Sequence, residues 1–220
     1  MRDDGAFKNI EYLGPMEIES RSMEIISREL EQMGISPDPV RAPTIKRCIH
    51  CSADFDYAKT LKFSWDAVAK GVTLLRSGAT IVTDTNMALA GINKRALDFC
   101  KAKAVCFMAD PEVAREARER GVTRALVSME RAGRLAGPII IAVGNAPTAL
   151  LGLYDMIRSG IFIPDLVIGV PVGFVNVVAS KERIMASGVS YIVNEGRKGG
   201  SNVAAAIVNS LLYQVEGSRA

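Results

Sequence analysis

Five short apolar runs, at residues 79–82, 104–108, 139–143, 166–168 and 191–193, are separated by stretches of helical periodicity, and this alternation constrains the chain more than anything else in it. Nearly continuous hydrophobic runs of strand length belong to strands covered on both faces, whereas a strand with one wet face would alternate. Such strands, each followed by a helix, build a parallel sheet. The expected fold is α/β, a three-layer α/β/α arrangement with a mainly parallel, doubly wound sheet. The chain has 220 residues, of which 49% are hydrophobic and 23% charged. That is enough for one domain with a substantial core, and 1–220 is read as a single domain.

Helix punctuation supports the pattern. Ile18, Ile25, Ile26, Leu30 and Met33 form a helical stripe over 17–33, which Gly34 would stop; Pro37, Pro39 and Pro43 then break the chain. Ser64 is read as the N-cap of a helix through Trp65, Val68, Val72 and Leu75, with Gly78 beyond its end. Asp110 is read as a cap, Pro111 as the first helical residue and Gly121 as the stop. The interleaved Arg and Glu residues between 112 and 120 are most simply a solvated face.

In a doubly wound sheet, ligands gather at the carboxyl ends of the strands, where loops and helix N-termini converge. Four loops stand there, at 83–87, 144–148, 169–174 and 195–202. They carry Thr85, Asn86, Asn145, Thr148, Arg197 and Ser201 among repeated glycines. Each alone could be ordinary turn chemistry; four at equivalent positions point to a mouth that receives anions. None matches the dinucleotide fingerprint or the Walker loop, which disfavours a nicotinamide-dependent oxidoreductase.

His50 is the only histidine. An imidazole titrating at roughly 6.5 can give and take a proton near neutrality, and no other ordinary side chain does so without strong retuning. Lys46 and Arg47 precede it, and Asp54 and Asp56 follow, so the segment is too polar for core filler. On a helix ending near Cys51, Arg47 and His50 would share a face. Cys48 and Cys51 bracket the histidine in C-x-x-C spacing, but no second pair completes a zinc site. Cys100 and Cys106 are expected to pack as small hydrophobes. The net charge of +3 suits an anionic small molecule, and there is no basic run or aromatic platform for nucleic acid. Without a signal-like N-terminus or an apolar stretch of about 18 residues, a cytoplasmic protein with no membrane partner is expected.

The motifs themselves resemble a known family. Gly-Asn-Ala-Pro-Thr-Ala-Leu at 144–150, Gly-Val-Pro-Val-Gly-Phe-Val at 169–175, Ser180-Lys181-Glu182 and Gly-Arg-Lys-Gly-Gly-Ser at 196–201 are similar to those of the precorrin-8X methylmutases. The segment 47–57 resembles the form that acts on cobalt-precorrin-8 in the anaerobic cobalamin pathway, and the likeness runs from about residue 17 to 213. It implies a homodimeric isomerase that shifts a methyl group from an α-carbon to the neighbouring β-carbon of ring C, giving hydrogenobyrinate or cobyrinate. It further implies that His50 is the proton donor and acceptor, that Ser22 and Arg124 contact the substrate, and that no cofactor is held. Any cobalt would arrive inside the anionic tetrapyrrole, and no protein-held metal is expected. Arg47 and Arg197 would add charge for its carboxylates. The bracketing cysteines depart from the family's usual small or apolar residues. The rival reading is a non-catalytic tetrapyrrole-binding protein, which would need the mouth but not the imidazole.

Overall fold

The computed structural model describes residues 12–217, and the chain falls into two compact units, Met1–Ser36 and Pro37–Ala220. The first contains helix α1, Pro15–Gln32. A proline in its first turn suits the N–H groups that no helix can bond there, and the Glu17 carboxylate accepts from the Gly14 amide at 2.9 Å. Gly34 ends it with φ +69°, the left-handed conformation a helix stop requires.

The second unit orders its elements as α2 (Ala42–Ser52), α3 (Tyr57–Thr60), β1 (Leu61–Phe63), α4 (Ala67–Arg76), β2 (Thr80–Thr83), α5 (Asn86–Gly91), α6 (Lys94–Phe99), β3 (Lys103–Cys106), α7 (Pro111–Arg120), α8 (Arg124–Ala132), β4 (Ile139–Val143), α9 (Pro147–Arg158), β5 (Leu166–Gly169), α10 (Val177–Met185), β6 (Tyr191–Asn194) and α11 (Ser201–Glu216). The six strands form one sheet in the order β1-β6-β5-β4-β2-β3, and every pair is parallel except β1 with β6. Alternate residues serve opposite layers. Ile141, Val143, Val167 and Val193 pack with Met129 of α8, Leu150 and Leu153 of α9 and Ile184 of α10. On the other face, α4 and α11 lie so close over Leu166 that a side-chain carbon on Gly71 would meet Leu211 at 2.8 Å and Leu166 at 3.1 Å. The result is the three-layer, mainly parallel arrangement that the apolar runs imply.

Two local expectations are corrected. The α4 N-cap is Asp66, not Ser64: the Ser64 hydroxyl instead accepts from the Tyr191 amide at 3.0 Å and donates to Asp66 at 3.2 Å, fastening the end of β1 to β6. Trp65 consequently lies outside the helix and is 96% exposed. Strand β1 carries no sequence signal of its own, since three residues are too few for a period; its place depends on pairing with Asn194, Val193 and Ile192. That pairing puts Leu61 opposite the last residue of β6 and so delivers the preceding segment to the carboxyl edge of the sheet.

Candidate active site

Strand order reverses between β2 and β4: from β2 the chain goes outward to β3, and from β4 it goes the other way to β5 and β6. Here the loops part and leave a crevice. Asp84, directly after β2, is fully buried in it. Its carboxylate accepts from the amides of Gly144 (2.8 Å), Asn145 (2.8 Å) and Ala146 (2.7 Å). Burial pushes the carboxyl above its ordinary value, and the three amides oppose that shift. The expectation that glycine opens this loop to a ligand is corrected: its N–H groups are occupied from within, and Gly144 is required by a close backbone crossing. A side-chain carbon there would come within 2.6 Å of the Ser201 Cα.

Thr85, Asn145 and Ser201 come together at this crossing. The Thr85 and Ser201 hydroxyls are 2.8 Å apart, and Thr85 also caps α5 by accepting from the Ala88 amide. Asn86, the first residue of α5, and Asn145 both expose their side chains. A second group forms after β3 and β4. Thr123 caps α8, and its hydroxyl donates to Thr148 at 3.3 Å, while the exposed Arg124 donates to the Met108 carbonyl at 3.3 Å. Arg197 lies over the exposed Phe174 ring, 5.4 Å from its centroid.

His50 sits in the last turn of α2. Thr44, Ile45, Cys48 and Ile49 bury one stripe of this helix, which packs on α11, and the Thr44 and Ser210 hydroxyls meet at 2.8 Å. The exposed imidazole has no hydrogen-bond or ion-pair partner among the described residues. Arg47, one turn earlier, leans back over the Tyr213 ring of α11 at 4.9 Å. Cys48 is buried and Cys51 exposed, and burial raises both thiols, which disfavours the reactive thiolate. Cys100 is buried, and Cys106 half-buried.

Ala53 stops α2 at φ +54°, and the chain then turns toward the loop after β6. Lys198 holds it there, with its ammonium 2.7 Å from Asp54 and 2.6 Å from Asp56. The Lys198 hydrogen bond holds the Asp54 carboxyl below its usual range. Thr60 adds a 2.7 Å bond to the side-chain oxygen of Asn194. The turn that follows His50 is thereby fastened to the loop after β6, which carries Arg197 and runs into Ser201. Ser22 belongs to the first unit; its hydroxyl donates to the Ile18 carbonyl of α1 at 2.8 Å.

Sequence reasoning missed Asp84, Lys181 and Lys198 as organising residues. Their partners lie 60 to 62, 15 to 17 and 142 to 144 positions away, so no local spacing could identify them. Among the described residues there is no group of three or more His, Cys, Asp or Glu able to hold a metal ion, and no helix is long and apolar enough to cross a membrane.

Residues 17–214 match the family described as CbiC, precorrin-8X methylmutase. A cobalt-precorrin-8 methylmutase from Salmonella typhimurium is 42% identical over 207 residues, covering 91% of this chain and 96% of that protein. One from Priestia megaterium is 40% identical over 197 residues, covering 90% and 87%. The crystal structure of a precorrin-8X methyl mutase from Thermus thermophilus superposes with a TM-score of 0.82 at 38% identity, over 92% of this chain and 99% of that one.

Proposed function

The chain belongs to the precorrin-8X methylmutase family, isomerases of cobalamin biosynthesis, and we propose that it shifts a methyl group within ring C of cobalt-precorrin-8 or precorrin-8X, with His50 carrying the proton. The observation that carries this reading is an exposed imidazole with no partner among the described residues, one turn of chain away from Asp54 and Asp56, whose pairing with Lys198 fastens that turn to the glycine-rich loop after β6. The imidazolium donates a proton to the conjugated macrocycle and leaves it electron-poor. The methyl group then moves with its bonding pair from the α-carbon to the adjacent β-carbon, and the proton returns to the imidazole. Atoms and electrons balance within one molecule, and no cofactor enters. Cobalt, where present, is part of the substrate.

The substrate's side-chain carboxylates face Arg47, Arg124 and Arg197, and the hydroxyl and amide groups of Thr85, Asn86, Asn145, Thr148 and Ser201 supply further bonds. The whole chain acts as one methylmutase domain, since the family match runs through both units. It works as a cytoplasmic homodimer. The exposed Val172, Phe174 and Val175, of which Phe174 lies against Arg197, fit a surface that a second copy covers, and the mass in solution checks this.

His50→Ala tests the chemistry against a purely binding protein. Turnover, followed as a spectral change at constant substrate mass, should fall by roughly a hundredfold to ten-thousandfold, with cobyrinate binding kept. Unchanged turnover would remove His50 as the proton carrier.

A further inference from the structure

Lys181, in the middle of α10, is 1% exposed, and nothing in the chemistry above uses it. Its ammonium donates to the carbonyls of Gly196 and Lys198, both at 2.8 Å. Asn194 donates to the carbonyls of Glu195 (3.1 Å) and Lys198 (2.9 Å), and the Gly173 amide donates to that of Arg197 (3.2 Å). Four consecutive carbonyls are thus turned inward. The N–H groups of Gly196, Arg197, Lys198 and Gly199 have no acceptor among the described residues. The first three of these residues are exposed, so the loop presents its donors outward.

A buried ammonium with only carbonyls for partners is expensive to keep, and a methionine of similar length would pack there without that cost. Placement of charge is what the lysine adds. We infer that Lys181 is a positioning residue for the reaction: it turns the loop's N–H groups toward the side-chain carboxylates of the substrate and holds a positive charge beneath them. This rests on the reading of the substrate as an anionic tetrapyrrole.

Burial pulls the Lys181 ammonium down to about 8. A neutral amine still offers two N–H groups to the two carbonyls, so raising the pH removes the charge while leaving the loop's bonds in place. The other ionisable residues on its own helix, on the elements packed against it and on the loop are Glu182 and Arg183 on α10, Tyr154, Asp155 and Arg158 on α9, Tyr191 on β6, and Glu195, Arg197 and Lys198. None of them bonds to the ammonium with its side chain.

Binding of cobyrinate to the wild-type protein, measured by absorbance titration from pH 6.5 to 9.5, should weaken at least fivefold with a midpoint near 8. Lys181→Met should bind about tenfold more weakly at pH 7, show no such midpoint, and raise KM while kcat stays within threefold. A flat wild-type profile overturns the inference, whether or not the variant folds, and so does a folded variant with unchanged affinity. The substrate reading is tested separately by whether the wild-type protein converts cobalt-precorrin-8 or precorrin-8X at constant mass; conversion with a flat binding profile would sink only the role of Lys181.

Discussion

After β4, the N–H groups of Gly144, Asn145 and Ala146 point inward onto the buried Asp84 carboxylate; after β6, the carbonyls of residues 195–198 point inward, onto Lys181, Asn194 and the Gly173 amide. Each loop is folded around a buried charge, and the sign of that charge decides which backbone groups remain for a ligand. A buried anion consumes donors and makes a rigid wall for the crevice. A buried cation consumes acceptors and leaves donors free, so two glycine-rich loops on one sheet edge have different uses. The glycines differ accordingly: Gly144 permits the crossing of α11, while Gly199, at φ +157°, lets the loop pass the Val170 carbonyl, which a side-chain carbon would approach to 2.0 Å.

The largest effect that can break this contrast is expected at Asp84. Asp84→Asn keeps the shape but turns an amide donor toward backbone donors, leaving at least one buried N–H without an acceptor. That should cost about 2–4 kcal/mol and lower Tm by about 5–15 °C, read by calorimetry. A variant as stable as the wild type would mean that the β4 loop does not depend on its anion.

Gly199→Ala comes next. The added carbon forces the β6 loop off the Val170 carbonyl, and a loss of about 1–3 kcal/mol is expected, as for other overpacked sites. Cobyrinate affinity should fall about tenfold in the same variant, which calorimetric titration would reveal. Retained affinity would show that the outward N–H groups are not used.

The smallest effect belongs to Lys198→Ala. It removes two solvent-exposed ion pairs, which water and salt screen strongly, so Tm should move by only a few degrees while turnover falls several-fold as the turn after His50 loosens. Acid titration sharpens the contrast through opposite signs. The Asp54 carboxyl is lowered in the fold, so its contribution is present above the ordinary carboxylate range, near 4, and is lost as pH falls through its folded value. The Asp84 carboxyl is raised, so its contribution is greatest below that range and diminishes as pH rises through its folded value. As pH falls, the Asp84 carboxyl should therefore take up its proton before the Asp54 carboxyl does, and the tether at 54–56 should outlast the charge behind the wall at 144–146, an order that an NMR titration of the two carboxyls can follow.

Much of the architecture was legible because its signals are local. The all-apolar run at 139–143 has the length of a strand buried on both faces, and Asp110, Pro111 and Gly121 cap, start and stop α7 as their chemistry dictates. Strand β1 escaped notice because its three residues gain their role only by pairing with β6. Ser64 satisfied a capping rule, but a distant amide, that of Tyr191, claimed its hydroxyl. At the site, the loops could be placed by rule, whereas the direction in which their backbones face could not. That direction depends on Asp84 and Lys181, which read in one dimension as an ordinary turn residue and an ordinary helix lysine.

The solvent-facing Trp65 has a practical consequence for anyone handling this protein. As the chain's only indole, it is already surrounded by water in the native state, so its emission colour should barely change when the polypeptide is denatured. Fluorescence will therefore be a poor thermometer of unfolding, whereas any blue shift in buffer would report that something has come to sit against that corner of the molecule.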